Sequence, residues 1–276
     1  SGNQPISDNI DPNQTDDDIP IKNFGVVTYD GTGSTNTVTG LGFKPDLIWG
    51  FTRSGGQSKR MVDSSRGGSS RIYSDNTEGA TGTNATNVAI SEFGTDGFTA
   101  NGGFFNNDSG KTCGAWCWRA NGGTTSTNTS GTHTTTVQAN QAAGFSIVTF
   151  AQYSGTPTLG HGLSSAPEWI IVKLTGSVHQ SISWHTSLAD NEIFYLNQSA
   201  AKSTNDAFND TAPTSTVFSM GSGFASSGAG VAYCWHGVEG YSKFGSYIGN
   251  GNANGPTIYT GFRPRLIFIK NISGTS

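Results

Sequence analysis

Few residues in this chain are of the type and spacing that chemistry needs. Glycoside hydrolysis needs two carboxyl groups about 5–9 Å apart across a cleft. The candidates are Glu92 with Asp96, and Glu168 with Asp190 or Glu192. None sits in a nucleophile or acid motif: Asp96-Gly97 reads as a turn, and Glu168 as the variable residue after Pro167. His161, His185 and His236 fall in one stretch, and imidazole is a common zinc ligand. Their spacing is wide, no carboxylate shell accompanies them, and Arg119 stands where a matching phrase would place His236. Cys113, Cys117 and Cys234 are odd in number and match neither a disulfide framework nor a zinc spacing, so buried free thiols are expected. Serine elbows, Walker loops and dinucleotide fingerprints are absent. The expectation is a protein without catalytic residues, metal or cofactor, and not an enzyme. What remains is sugar stacking. Trp184, His185, Asn191 and Tyr195 combine aromatic faces with short polar groups, and Trp184 has no aromatic at its aligned place, so it is expected to be exposed.

Composition limits the partners. A net charge of -4 with no basic stripe gives no case for nucleic acid. No run approaches the 18 or more apolar residues of a membrane-spanning helix, and the first residues carry neither the basic start nor the apolar segment of a signal peptide. Charged residues make up only 12% of the chain and glycine fills 39 of its 276 positions, yet 16 Phe, 8 Tyr and 6 Trp rule out a disordered composition. Large aromatics scattered among Ser, Thr, Asn and Gly suit thin β layers joined by many turns.

The elements that must position these residues come from a phrase that occurs three times. It reads Gly42–Trp49, Ser165–Lys173 and Gly261–Lys270, each time a proline, one polar residue and an apolar run. A proline cannot donate to a ladder and fits just before a strand. Pro45, Pro167 and Pro264 lie 122 and then 97 residues apart, which is duplication on the scale of a domain. The phrase Ala115–Arg119 matches Ala232–His236 position for position, making Cys117 and Cys234 paired packing positions. No stretch sustains a 3.6-residue period. The fold expected is all-β: tandem antiparallel β-sandwich domains, jelly-roll or lectin-like, related by duplication.

The chain then divides as follows. Residues 1–23 read as an extended segment or linker, with Asp16-Asp17-Asp18 a solvated acidic run rather than a calcium loop. Residues 24–120 form a first sandwich repeat, and 121–143 a Thr/Ser/Asn/Gly-rich linker with one strand from His133. Residues 144–240 form the second repeat. Residues 241–276 begin a third, incomplete, which is expected to pack partly on the second and to lead into further sequence.

Several phrases resemble a known family: Gly40–Trp49, Gly144–Val148, Gly160–Leu163 with Ala166–Lys173, and above all Tyr233–Tyr247. They are similar to a repeated domain of virion structural proteins of tailed bacteriophages, notably those of marine bacteria and cyanobacteria. The likeness runs from about Phe24 to the end. It implies a tail fibre, tail-associated or capsid-surface protein of the virion, often with an upstream concanavalin-like or SPRY-like sandwich. Its partners would be sister subunits, other virion proteins and a host surface glycan or receptor, and it brings no catalytic residues. The chain departs from the pattern at Gly50–Arg53, where a Lys-Asn-Arg-like phrase is common.

Overall fold

The structure, a computed structural model, describes residues 20–81, 86–222, 224 and 228–273. The acidic run Asp16–Asp18 lies outside the described residues. After a single 3-10 turn at Pro20–Lys22, the first copy contains β1 (Phe24–Asp30), β2 (Asn36–Thr39), β3 (Leu47–Thr52) and β4 (Arg60–Asp63). It continues through β5 (Arg71–Tyr73), β6 (Ile90–Gly94), β7 (Gly97–Ala100) and β8 (Thr112–Trp118). The connecting stretch holds β9 (Ser126–Asn128) and β10 (Thr135–Asn140). The second copy contains β11 (Phe145–Phe150), β12 (Thr158–Gly160), β13 (Trp169–Leu174) and β14 (Ile182–His185). It closes with β15 (Glu192–Tyr195), β16 (Ser203–Thr204), β17 (Val217–Ser219) and β18 (Gly230–Trp235).

The duplication is visible in the strand order. The main sheet of the first copy runs β1-β8-β3-β4-β5, and that of the second contains β11-β18-β13-β14-β15 in the same order. Each copy covers its main sheet with a smaller one, β2-β7-β6 or β12-β17. All these ladders are antiparallel. Phe24 and Leu47 flank Trp118 on its two sides, as Phe145 and Trp169 flank Trp235.

Each main sheet carries buried residues on both faces, and the period of two sorts the side chains. In β8, Ala115 and Cys117 face the first copy's own sandwich core, while Trp116 and Trp118 face away from it. In β18, Ala232 and Cys234 face the second copy's core, while Val231, Tyr233 and Trp235 face away. The outward faces meet each other. Leu47, Trp49, Met61 and Trp118 of one copy form a single apolar cluster with Phe145, Trp169, Ile171, Tyr233 and Trp235 of the other. The molecule is therefore four layers deep, small sheet, main sheet, main sheet, small sheet. Glycine is required in the first copy's own core at Gly50, where a β-carbon would collide with the Phe105 ring.

Two expectations need correction. The stretch read as a linker is built into the fold, since β9 and β10 extend the second main sheet beyond β11. Backbone pairing needs no apolar side chains, and Gln138 ties the stretch to the first copy. Its amide donates to Ser64 and Ser65, and its carbonyl accepts from the backbone of Asn121 and Gly123. The strands read at Lys243–Ile248, Ile258–Tyr259 and Leu266–Lys270 do not form: those residues join no ladder among the described residues. A strand without a partner has no hydrogen bonds to hold it.

Candidate functional site

The seam between the copies is the densest concentration of special residues. Trp118 meets its own counterpart Trp235, ring centroids 5.8 Å apart, which is the mark of a face packed against a copy of itself. Trp169 stacks on Trp235 at 4.7 Å, and Trp49 meets Trp116 edge-on at 5.4 Å. Trp49 also donates its indole N–H to Ser74 at 2.9 Å. Phe268 from the C-terminal stretch lies on the same seam, 5.2 Å from Trp169 and 6.4 Å from Trp49.

A charged group crosses the seam. The Tyr233 hydroxyl donates to Asp63 Oδ2 at 2.7 Å, and Arg66 donates from Nε to the same oxygen at 2.6 Å and from Nη2 to the Tyr233 oxygen at 3.2 Å. Burial alone would lower the Arg66 pKa, but the Asp63 carboxylate and Tyr233 hold it above its ordinary value. Burial also raises the Tyr233 phenol well above its usual range. The group is a fixed, neutralised lock between the two copies.

The carboxylates named from sequence are committed to backbone. Asp96 accepts from the N–H groups of Gly40 and Gly42, tying the β2–β3 connection to the β6–β7 turn. Glu168 accepts from Gly237 N–H, just as Asp46, its counterpart after Pro45, accepts from Ala120 N–H at 2.7 Å. The position after the proline is thus a tie to the chain leaving the last strand, a role its variability hid. Burial raises the Asp46 pKa against the hydrogen bonds it accepts. Glu192 pairs with Lys202 at 2.8 Å and caps Ala189 N–H, which holds its pKa down. Asp190 and Glu92 are exposed.

The residues proposed for sugar contact do not share a surface role. Trp184 is buried in the second copy's core, contrary to the expectation of an exposed ring: Trp184 faces inward on β14, opposite Ile170. His185, next along the strand, is half-buried and accepts from Ser187 N–H; Tyr195 packs against the core and Asn191 is exposed. His161 is fully buried, accepting from Leu163 N–H, with its other ring nitrogen 3.1 Å from Thr214 O. Burial pushes its pKa down to about 4. Among the described residues no group of three His, Cys, Asp or Glu is placed to hold a metal ion. All three cysteines are buried and unpaired, and burial drives the Cys117 and Cys234 thiols up.

An open polar depression of about 610 Å³ lies beside β12, lined by Thr132, His133, Gln152, Tyr153, Ser154 and Thr156. The His133 and Tyr153 rings meet edge-on at 5.9 Å. Sequence reasoning took His133 only as the start of a strand; no spacing signals that the turn after β11 folds back over it.

No curated protein and no solved structure matches the chain. Residues 19–276 match the model of one family, described as a domain of unknown function (DUF7483), a span that takes in both copies, their seam and the C-terminal stretch. The chain belongs to that family.

Proposed function

We propose that this chain is a building module of a tailed-phage virion, in a tail fibre, another tail-associated position or a capsid-surface appendage, and that it carries out no reaction. Its work is to hold β domains in line and to contact sister subunits and other virion proteins. The observation that carries this reading is the aromatic seam. The face of the repeat is made to pack on another copy of itself, and Phe268 shows the seam extending past the two complete copies. The likeness of Tyr233–Tyr247 and the proline-led phrases to virion repeats supports the setting. Immunogold labelling of purified particles tests it. A regular, symmetric array of label is the expected result. Particles lacking the protein, or a purified chain that cleaves polysaccharide, would overturn the reading.

A second reading, a sugar-binding adhesion module, is favoured by the depression at His133 and Tyr153, where hydroxyl groups surround an aromatic wall. A glycan array run with the chain and with His133→Ala separates the two. Binding lost in the variant supports the second reading, and no binding leaves the first alone.

A further inference from the structure

The chain contains four Asn-Gly steps, at Asn101, Asn121, Asn250 and Asn254. In such a step the glycine nitrogen can close on the carboxamide carbon of the asparagine, because no β-carbon crowds its approach. The reaction needs that nitrogen and that carboxamide released from other partners, and the fold treats the four steps differently. At the first, the Asn101 carboxamide donates to Val88 O at 3.0 Å and accepts from Thr35 Oγ1 at 3.2 Å, while Gly102 N–H donates to Ser34 O at 3.1 Å. At the second, Gly122 N–H donates to the buried Asp46 carboxylate at 2.8 Å, and the Asn121 carboxamide donates to Thr124 O at 3.1 Å. The other two steps lie in the exposed stretch 249–255. There the Asn250 side chain is held at both ends, Nδ2 donating to Asn254 O at 2.8 Å and Oδ1 accepting from Asn252 N–H at 3.1 Å. Among the described residues, neither the Asn254 carboxamide nor Gly255 N–H has a hydrogen-bond partner.

We propose that Asn254 is a site of covalent self-modification, deamidation through a cyclic imide, with Asn250 slower and with Asn101 and Asn121 protected by the fold. The co-reactant is water, and the steps balance without a cofactor. Gly255 N attacks Asn254 Cγ, a bond forms between them, and the bond from Cγ to Nδ2 breaks. The amide nitrogen leaves as ammonia, carrying the proton that the glycine gives up. Water then opens the ring at either carbonyl, leaving aspartate or isoaspartate. Nothing is oxidised or reduced. The product adds a negative charge to a chain already at -4. In the isoaspartate form the main chain runs through the former side chain and is longer by a methylene. The inference rests on the hydrogen bonding of these steps and not on where the protein works.

The test holds the purified full chain in mildly alkaline buffer and follows peptides covering each step by mass spectrometry, with aspartate and isoaspartate forms separated by chromatography. Conversion at Asn254 is expected to run about ten-fold or more ahead of Asn101 and Asn121, which must first open hydrogen bonds, one of them to a carboxylate. Both isomers should form. In urea the four steps should converge in rate, because the protection belongs to the fold. Gly255→Ala should slow Asn254 alone: the added methyl group meets no atom within 4 Å, and the φ there is not positive. Any of four results would overturn the proposal: earliest conversion at another step, aspartate formed at 254 without isoaspartate, a ranking that persists unchanged in urea, or conversion indifferent to Gly255→Ala. None of these bears on the particle labelling above, so the two readings fail separately.

Discussion

Replacing Asp63 by alanine tests whether the two copies are docked as described. The Asp63 carboxylate accepts from Arg66 Nε at 2.6 Å, Tyr233 Oη at 2.7 Å and Arg66 N at 2.9 Å. Among the described residues, Asp63→Ala leaves the Arg66 guanidinium with Ser70 Oγ at 3.1 Å and the Tyr233 oxygen at 3.2 Å, on a side chain 9% exposed. An orphaned buried charge costs about 3–5 kcal/mol. Tyr233→Phe keeps the ion pair and removes two hydrogen bonds to charged partners, for about 1.5–3 kcal/mol. Because the variants share one bond, the double variant should fall short of their sum by about 1 kcal/mol or more. Urea unfolding followed by tryptophan emission is the assay, since Trp49, Trp118, Trp169 and Trp235 all lie in the seam. A cost below about 0.5 kcal/mol for Asp63→Ala, the range of an ordinary surface change, would show water at the group and would refute the docked seam.

Four further outcomes follow from the packing and the buried titrating groups. Trp235→Ala should cost about 3–5 kcal/mol and broaden or split the unfolding transition seen by calorimetry, because it empties the centre of the seam. Gly50→Ala should cost about 1–3 kcal/mol by urea midpoint, as its methyl group meets the Phe105 ring. Lys173 donates to the carbonyls of Asn76 and His179, and burial lowers its pKa from 10.5 to about 8. The folded chain then loses this proton before the unfolded chain does, so stability relative to Lys173→Met should rise as pH climbs from about 8 to 10.5. His161 is the acid-side case: with its pKa lowered from 6.5 to about 4, the unfolded chain takes up the proton first. Stability relative to His161→Gln should therefore fall as pH drops from 6.5 to about 4, read from urea midpoints across that range.

Sequence carried the repeat itself because strand composition and the proline-led phrase are local signals. The match of Ala115–Arg119 to Ala232–His236 made Cys117 and Cys234 equivalent packing positions, and the structure buries both, with the tryptophans on the opposite face of each strand. What it could not carry is which side of a sheet is dry. Alternation separates two faces but does not say that both pack, so nothing local signals that the tryptophans form the joint between two sandwiches. Trp184 failed for the same reason: the aligned residue is Val62, also a core residue, and the absence of an aromatic there says nothing of exposure. Arg66 was overlooked because a single arginine in a Ser/Gly turn reads as solvated, and its partner Tyr233 lies 167 residues away. The β9–β10 stretch was hidden by composition. Its Thr-rich strands pair through backbone, and the ladder to β11 with the long-range ties of Gln138 makes it part of the fold. At the position where the resembled family favours lysine, the first copy has Phe51, whose ring lies 4.9 Å from Trp116, whereas Lys173 in the second reaches across to the first copy's Asn76.

Since each main sheet buries aromatic residues against the other copy, neither half of the duplication can be excised as an independent piece. A gene fragment encoding residues 24–120 alone would leave Trp49, Trp116 and Trp118 facing solvent, and its product would clump or recruit a second molecule to hide them. The smallest portable part of this architecture is a pair, and any lineage that lengthens it one copy at a time must at every odd step find something else to sit on the bare tryptophans.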